Sequence, residues 1–330
     1  KTQNFTAPQY NYARGLLMLR INDLRGHPEI KSCLNKFIQT KKFPNTFLFS
    51  GPKGVGKNQF ALAFANELLQ TEGNHPDLRH YYPEGKSYLH TMQSIHQFIR
   101  EVELPPFQSE RKVLILSDAD CMQRATANAL LKTLEEPLHS SVIILTTSHY
   151  DEILPTIFSR CFPIVFSPLT PSELISYLLS SYPLQEEEAR RIALCSQGIL
   201  SKAENLAKRG EDQISHLVPR AAYFSIRREY LQFFKVLTEI ESLEEGKEGS
   251  MLDRSEEILY LLFYWYRDLH LLKIGGDPKY LFYKEKIEDL RACVEYPLLS
   301  LEELQKKIYT VQEAQKYQIR LSHCLQALLL

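Results

Sequence analysis

The segment Phe47-Leu-Phe-Ser-Gly-Pro-Lys-Gly-Val-Gly-Lys-Asn58 carries the strongest structural signal in this sequence of 330 residues. An apolar run leads into a loop of the form GxxxxGK, and a helical pattern follows at 59–69. In this context glycines let backbone N–H groups turn inward around phosphate oxygens, and the lysine supplies a positive charge. The segment therefore predicts a phosphate-binding loop, or P-loop, with a coincidental glycine turn as the alternative. The candidate phosphate-binding residues are Gly51, Gly54, Gly56 and Lys57.

Two positions that serve Mg²⁺ in active nucleotide hydrolases are altered. The residue after the P-loop lysine should be Ser or Thr, whose hydroxyl binds Mg²⁺, but here it is Asn58. A hydrolase also places a metal-binding Asp and then a water-activating Glu directly after its third strand. This sequence has Ser117 and Asp118 there. The two changes together predict a site without hydrolysis; the alternative is a one-residue shift in register that makes Asp118 the metal ligand.

Short apolar runs alternate with helical patterns over the first 160 or so residues. Several are continuous, such as Val142-Ile-Ile-Leu145, which is typical of parallel strands buried on both faces. A helix between two of these runs is predicted to end at Glu135, before Pro137. This alternation predicts a doubly wound α/β domain with a parallel sheet. The predicted strands are 46–50, 79–82, 113–117, 142–147 and 163–166.

The pattern changes at Pro168. The segment Thr170-Pro171-Ser172-Glu173 is a capping box with proline at the first helical position, so it predicts the start of a helix. Amphipathic helical patterns follow, without a further strand pattern. We expect three domains: an α/β domain at 1–168, a small helical lid at 169–212 and an all-α domain at 213–330.

Composition excludes several classes of protein. Hydrophobic residues make up 44% and charged residues 24%, which is ordinary for a globular protein and unlike a disordered or collagenous chain. The 39 Lys and Arg nearly balance the 40 Asp and Glu, for a net charge of −1. This balance argues against a polybasic protein that holds nucleic acid by bulk charge. Any contact with DNA is therefore expected to be a local patch.

Cysteine spacing and hydropathy give expectations about location. The six cysteines form no CxxC pair, which fits neither a zinc ribbon nor a secreted disulfide framework and suggests a reducing, cytosolic compartment. The most apolar stretch, 258–266, is far shorter than the ~20 residues of a membrane span. Residues 1–20 are expected to be a processed, misassigned or poorly ordered end, since the first methionine is Met18.

Further stretches complete a family pattern. They are Leu24-Arg-Gly-His-Pro28, Asn128-Ala-Leu-Leu-Lys-Thr-Leu-Glu-Glu-Pro137, Leu154-Pro-Thr-Ile157 and Ser159-Arg-Cys161. With the P-loop, they resemble the clamp-loader subunits of the AAA+ superfamily, most of all the delta-prime type of bacterial DNA polymerase III. The resemblance extends over almost the whole chain from Leu24. It implies a P-loop AAA+ domain, a helical lid and a C-terminal helical collar that forms a pentamer.

The resemblance also implies roles for matching residues. Arg160 would be an arginine finger offered to the ATP of a neighbouring subunit, where a planar guanidinium stabilises charge on the transferred phosphate; the alternative is a surface arginine at a strand end. Thr147 would be the sensor after the fourth strand, with Ser148 as its rival. Lys202 stands where the family usually has a phosphate-contacting arginine, and it lacks the bidentate fork.

The function expected from this resemblance is a non-hydrolysing, delta-prime-like scaffold of a clamp loader, which loads the sliding clamp onto primed DNA. The implied partners are the gamma/tau and delta subunits of a hetero-pentamer. The clamp and primer–template DNA would be contacted through the complex, and no membrane is expected. The chain is not expected to be an enzyme on its own, although the DNA polymerase III holoenzyme has DNA-directed DNA polymerase activity.

Cofactor expectations follow from the altered site. No cofactor is expected to be required, and the altered metal positions argue against binding of ATP with Mg²⁺. Many clamp-loader subunits carry a Cys₄ zinc module, but residues 59–112 contain no cysteine, so no zinc is expected.

One alternative is an ATP-hydrolysing, gamma/tau-like motor subunit in which Asn58 and Asp118 hold Mg²⁺. A more distant one is an unrelated P-loop protein. A cytoplasmic location is expected.

Overall fold

The structure, a computed structural model, describes residues 19–71, 75–85, 87–209, 213–244, 251–315 and 321–329. The chain divides into two compact units. One extends to Glu186 and includes Gln197–Glu204, and the other comprises Glu187–Ser196 and continues from Asn205. The predicted lid, 169–212, contributes residues to both units, and the division at 168 and 212 stays a prediction. Residues 1–18 of the leading segment lie outside the described residues.

A five-stranded parallel sheet forms the core of the first unit. Its strands are β1 (Thr46–Ser50), β2 (Leu78–Tyr81), β3 (Lys112–Leu116), β4 (Ser141–Thr147) and β5 (Phe162–Val165). They lie side by side in the order β2-β3-β4-β1-β5, and every neighbouring pair is parallel. The predicted α/β class is therefore confirmed. Four of the strands begin one residue earlier than the apolar runs predicted.

Alternate residues of each strand pack into opposite hydrophobic layers. On β1, Phe47 and Phe49 belong to one buried cluster and Leu48 belongs to the other. Strands β3 and β4 alternate in the same way. Because successive strand side chains point to opposite faces, a continuous apolar run is buried only when helices cover both sides of the sheet.

Helices α1 and α2 cover the face of Phe47, and helices α3 and α4 cover the face of Leu48. Helix α4 ends at Glu135, as predicted from the proline two residues later. Two further helices follow in this unit. The bounds are α1 (Pro28–Thr40), α2 (Lys57–Leu69), α3 (Met92–Glu103), α4 (Arg124–Glu135), α5 (Pro155–Phe158) and α6 (Pro171–Ser181).

The predicted capping box forms at the start of α6. The backbone N–H of Glu173 donates to the hydroxyl of Thr170 at 3.3 Å, and the backbone N–H of Thr170 donates to the carboxylate of Glu173 at 2.8 Å. Pro171 occupies the first turn, where its missing N–H costs no hydrogen bond. Local sequence alone therefore sets where this helix begins.

The second unit is helical in its described residues. Its core contains the fully buried side chains of Phe233, Trp265 and Tyr283, the last two in edge-to-face contact at 5.5 Å. The predicted all-α C-terminal region is confirmed. After α6 the helices in chain order are α7 (Glu186–Cys195), α8 (Leu200–Arg209), α9 (Gln213–Ile226), α10 (Tyr230–Glu244), α11 (Met251–Lys273), α12 (Ile287–Val294), α13 (Leu301–Gln315) and α14 (Leu321–Leu329).

Two observations bear on location. Over the ranges that the structure describes, no helix combines the length and the apolar character needed to cross a membrane. The thiols of Cys33, Cys121, Cys161, Cys195 and Cys293 are free. The cytoplasmic location expected from the cysteine pattern stays a prediction.

The buried carboxylate of Asp77, the residue before β2, accepts hydrogen bonds from the loop before β3. Asp77 is fully buried, and it accepts backbone N–H groups from Phe107 at 2.5 Å and from Gln108 and Ser109 at 2.8 Å each. Burial acts to raise the pKa of Asp77. The three N–H donors and the nearby His75 outweigh it, so that the pKa lies below its ordinary value.

We predict that Asp77→Asn lowers the free energy of unfolding by about 2–4 kcal/mol, because an amide leaves buried N–H donors without acceptors. The carboxylate stabilises the fold above the unfolded-state pKa of about 3.9, and this contribution is lost as the pH falls through the lowered folded-state pKa. The difference between wild type and variant should therefore shrink below about pH 4.

Urea denaturation followed by far-UV circular dichroism measures this difference, since the single tryptophan, Trp265, lies in the second unit. The exposed carboxylate of Asp151 provides the control, and Asp151→Asn should change little. Equal stability of Asp77→Asn and Asp151→Asn at pH 7 would contradict the role given to Asp77.

Candidate functional site

The glycine-rich loop lies where the strand order of the sheet changes direction. The strand and helix predicted on either side of GxxxxGK are both present, as β1 and α2. Strand β1 lies between β4 and β5, and the carboxyl ends at such a switch point form the crevice in which parallel sheets bind ligands. The N–H of Gly51 donates to the carbonyl of Thr147 at 3.2 Å, which joins the loop to the end of β4.

Two glycines in the loop have no room for a side chain. Gly51 has a φ of +148°, and a Cβ there would lie 2.2 Å from the carbonyl oxygen of Phe166. Gly54 has a φ of +86°, and a Cβ there would lie 2.1 Å from Oγ of Ser201. The N–H of Ser201 also donates to the carbonyl of Gly54 at 3.2 Å. Ser201, in the predicted lid, therefore lies directly against the loop, and glycine is required at Gly54 on steric grounds as well as conformational ones.

Lys57 donates hydrogen bonds to the P-loop and to the residue after β4. Its ammonium group contacts the carbonyls of Gly51 at 2.6 Å and Pro52 at 2.9 Å, and the hydroxyl of Ser148 at 3.2 Å. Burial lowers the pKa of Lys57 to about 8, and the carboxylate of Asp118 acts against this shift. An ammonium group has three hydrogens, so a phosphate would have to displace one of these partners.

The amide oxygen of Asn58 is engaged by a buried threonine. The hydroxyl of Thr146 donates to Oδ1 of Asn58 at 2.9 Å and accepts the backbone N–H of Asp118 at 3.2 Å. Thr146 is fully buried near the end of β4. This chain of hydrogen bonds connects the first turn of α2 to the carboxyl ends of β3 and β4.

Ser117 fills the position directly after β3, where a hydrolase has its metal-binding carboxylate. It is fully buried, and its hydroxyl is hydrogen-bonded to Nε2 of His80 at 2.7 Å. Its carbonyl accepts from Nε2 of His90 at 2.8 Å. Burial lowers the pKa of His80 to about 3, so this ring is neutral at physiological pH. Nδ1 of His80 is in turn hydrogen-bonded to the hydroxyl of Tyr82 at 2.9 Å.

Asp118, the alternative metal ligand, is held by a tyrosine. The hydroxyl of Tyr88 donates to Oδ2 of Asp118 at 2.8 Å. Burial and this hydrogen bond raise the pKa of Tyr88. Both residues have a left-handed backbone, with φ of +51° at Asp118 and +47° at Tyr88, an arrangement that non-glycine residues adopt at a cost.

Three side chains at the metal positions of a hydrolase are hydrogen-bonded to other residues of this chain. Mg²⁺ demands a near-octahedral shell of oxygen ligands. In nucleotide sites most of these oxygens come from water and phosphate, and the protein supplies only one or two. Asn58 is hydrogen-bonded to Thr146 and Ser117 to His80, and Oδ2 of Asp118 accepts from Tyr88, so Mg²⁺ at this site would compete with these contacts. Elsewhere in the described part of the chain, too, no group of three or more His, Cys, Asp or Glu could hold a metal ion.

The remaining predicted residues of this site are only partly brought together. Ser148 contacts Lys57, whereas the hydroxyl of Thr147 is fully buried and accepts the backbone N–H of His149 at 3.2 Å. Lys202 is half-buried on α8, next to the residue that contacts Gly54. The sensor and phosphate-contacting roles of these residues stay predictions.

Several contacts of this site were absent from the sequence prediction. Thr146 could have been found, since it is polar at the end of an otherwise apolar strand and adjoins the predicted Thr147. No local pattern predicts that Tyr88 or Ser201 would reach this site, because each lies in a segment distant along the chain from its partner.

Arg160 lies at the opposite end of the strands from the P-loop. It follows α5 and comes just before β5, at the amino end of that strand. Since all strands are parallel, the P-loop lies at their carboxyl ends and Arg160 at their amino ends. A four-residue strand such as β5 spans about 13 Å. Arg160 and Lys57 of one chain therefore belong to different sites.

The guanidinium of Arg160 is held within its own unit. Nη1 donates to the carbonyl of Thr156 at 2.9 Å and contacts Oγ of Ser159 at 3.4 Å, and Nη2 pairs with Glu135 at 3.2 Å. Nε is buried and has no partner among the described residues. Arg160 lines a cleft of about 560 Å³. The other lining residues are Phe43, Pro44, Asn45, Thr46, Leu134, Glu135, Glu136, Pro137 and His139.

Comparisons with known proteins agree with this architecture. Residues 26–170 match a family model described as DNA polymerase III, delta subunit. Subunit delta' of DNA polymerase III from Bacillus subtilis is 27% identical over 324 residues, which cover 90% of this chain and 91% of that protein. A replication factor C small subunit from Methanococcus vannielii is 25% identical over 252 residues, covering 74% of this chain and 77% of that protein. The predicted resemblance is confirmed, and the matches support a clamp-loader-family AAA+ subunit.

Solved structures give a weaker likeness. A DNA polymerase III gamma subunit-related protein from Thermotoga maritima has a TM-score of 0.47 at 17% identity, covering 90% of this chain and 97% of that chain. The Bacillus subtilis DNA clamp loader delta protein has a TM-score of 0.37 at 14% identity. Likeness at this level adds nothing to the sequence matches.

We predict that Asn58→Ala lowers the free energy of unfolding by about 1–3 kcal/mol, because the buried hydroxyl of Thr146 loses its acceptor. Asn58→Asp keeps an oxygen acceptor and should cost less. Urea denaturation of the full chain, followed by circular dichroism, measures both changes. The control is Gln97→Ala on the exposed side of α3. If Asn58→Ala is as stable as this control, Asn58 is not a structural acceptor.

Proposed function

We propose that this chain is a delta-prime-like, non-hydrolysing subunit of a bacterial clamp loader. In this role it joins gamma/tau and delta subunits in a hetero-pentamer through its C-terminal helices. It presents Arg160 to the nucleotide of a neighbouring ATPase subunit. The assembled complex loads the sliding clamp onto primer–template DNA in the cytoplasm, and this chain contacts clamp and DNA through the complex.

The separation of Arg160 from Lys57 is the observation that supports the proposed role of Arg160 as an arginine finger. A guanidinium acts on phosphoryl transfer only when it reaches the transferred phosphate. Arg160 lies at the amino ends of the strands and the P-loop at their carboxyl ends, so Arg160 can serve only a nucleotide held by another chain. Its place in a cleft, with 29% of its side chain exposed, supports access by a neighbour.

The hydrogen bonds of Asn58, Ser117 and Asp118, at the carboxyl ends of the strands, support a role without hydrolysis. Hydrolysis needs a carboxylate that positions water and oxygens that hold Mg²⁺. Asn58 and Asp118 direct an oxygen to Thr146 and Tyr88, respectively, and Ser117 replaces the usual metal-binding acid. Activating this site would require several of these contacts to break together.

The ATP-hydrolysing motor subunit is the second candidate. One observation favours it: the carboxylates of Asp118 and Asp120 lie close enough to Lys57 to raise its pKa against the effect of burial. A charged lysine with carboxylates nearby could still bind a nucleotide together with Mg²⁺. The unrelated P-loop protein, the third reading, is disfavoured by the match to a delta' subunit over 90% of this chain.

We predict that the purified chain shows no saturable binding of a fluorescent ATP analogue at micromolar concentrations in the presence of Mg²⁺. The reason is that a phosphate would have to displace a partner of Lys57, while Asn58 and Asp118 each direct an oxygen to another side chain. Fluorescence titration with and without Mg²⁺, followed by an assay of phosphate release, checks this. Micromolar binding with turnover would favour the motor subunit.

We predict that Arg160→Ala lowers the ATPase rate of the reconstituted complex by about 10³-fold or more, since an arginine finger contributes 10³–10⁵ to turnover. Arg160→Lys should recover little, because lysine lacks the planar fork. The control is Arg100→Ala, at an exposed position on α3. Size-exclusion chromatography establishes that each variant still assembles.

Two outcomes would count against the finger. An unchanged ATPase rate with Arg160→Ala would show that this arginine does not act on a neighbour's nucleotide. A complex that forms with wild-type chain but not with Arg160→Ala would instead assign Arg160 to assembly.

A further inference from the structure

We propose that Glu135 is a latch for the arginine finger: it holds the guanidinium of Arg160 within its own chain and has to release it before Arg160 can engage a neighbour's phosphate. This inference rests on the proposed function, because it assumes that Arg160 acts in trans. The observation behind it is the ion pair between Nη2 of Arg160 and Oε1 of Glu135, at 3.2 Å, inside the cleft that the finger would offer to a partner.

The donors of Arg160 leave few ways to bind a phosphate. A guanidinium binds a phosphate most strongly through two parallel N–H groups. Nε is inaccessible to solvent, so the pair formed by Nε and Nη2 cannot face a neighbouring chain. The fork formed by Nη1 and Nη2 remains. Its two nitrogens already donate to the carbonyl of Thr156 and to Glu135.

The charge around the fork has the wrong sign for a phosphate. Glu135 and Glu136 both line the cleft, so two carboxylates accompany the single guanidinium. A nucleotide phosphate brought to this cleft would compete with Glu135 for Nη2 and would be repelled by its carboxylate. Each terminal nitrogen of Arg160 has a second hydrogen, but a phosphate would be held strongly at Nη2 only after Glu135 moves away or loses its charge.

The exposure of the pair suits a latch better than a structural bridge. The side chains are 29% exposed at Arg160 and 58% exposed at Glu135. Exposed ion pairs are weak, shifting an equilibrium by at most about fivefold, so this one can be broken in each cycle of the complex. Arg160 is also anchored by the Thr156 carbonyl, so release of Glu135 would free Nη2 without releasing the whole side chain.

The test is the ATPase rate of the complex reconstituted with Glu135→Gln, which removes the charge and keeps the shape. In the absence of clamp and DNA, we expect a rate about two- to fivefold above that of wild type, because the finger is no longer held back. The increase should shrink at high salt, which screens the ion pair in the wild-type chain. The control is Glu103→Gln, at an exposed position of α3, which should leave the rate unchanged.

A double variant separates the latch from other effects of Glu135. The chain with both Glu135→Gln and Arg160→Ala should have the low rate of Arg160→Ala alone, because the latch acts only through the finger. Thermal melting of each chain establishes that the variants are folded. An increase that persists in the double variant would overturn the latch.

The remaining outcomes distinguish the latch from the finger itself. If Arg160→Ala lowers the rate but Glu135→Gln leaves it unchanged or lowers it, the proposed function stands and the latch is wrong. If Arg160→Ala has no effect, the finger and the latch fall together.

Discussion

The common direction of the five strands is the constraint on which both candidate sites depend. In a parallel sheet, the carboxyl ends of all strands lie on one side of the sheet and their amino ends lie on the opposite side. The loop after β1, the residues after β3 and the end of β4 therefore meet around Lys57, although they are up to about 90 residues apart in sequence. Arg160, just before β5, lies at the amino ends of the strands. Within one chain the P-loop and Arg160 therefore cannot meet.

The altered residues at the carboxyl edge are matched to one another. Asn58 in place of a hydroxyl residue supplies an acceptor for the buried hydroxyl of Thr146, and Ser117 in place of an acid leaves room for the neutral ring of His80. A buried polar group without a partner costs about 1–3 kcal/mol, so each of these residues depends on its neighbour. The hydrogen bond between Asn58 and Thr146 also ties α2 to the sheet.

Much of the fold could be predicted from the sequence, because it depends on local and periodic signals. The strands lie within one residue of their predicted starts, and the capping box at Thr170 forms as its residues indicate. The site was predicted less well. The sequence named Lys57, Asn58 and Asp118, but it did not reveal that their functional atoms are engaged, since Tyr88 and Thr146 come from other parts of the chain.

The amino-acid sequence alone was sufficient for the α/β class, the position of the P-loop and the family resemblance, because apolar runs, glycine spacing and short motifs are properties of adjacent residues. The tertiary structure was needed to show that Ser148 rather than Thr147 contacts Lys57, that Ser201 lies on the loop at Gly54 and that Glu135 pairs with Arg160. These pairings depend on how segments distant in sequence pack around the sheet. A hydrogen bond needs atoms within about 3 Å, and only the packed chain sets such distances.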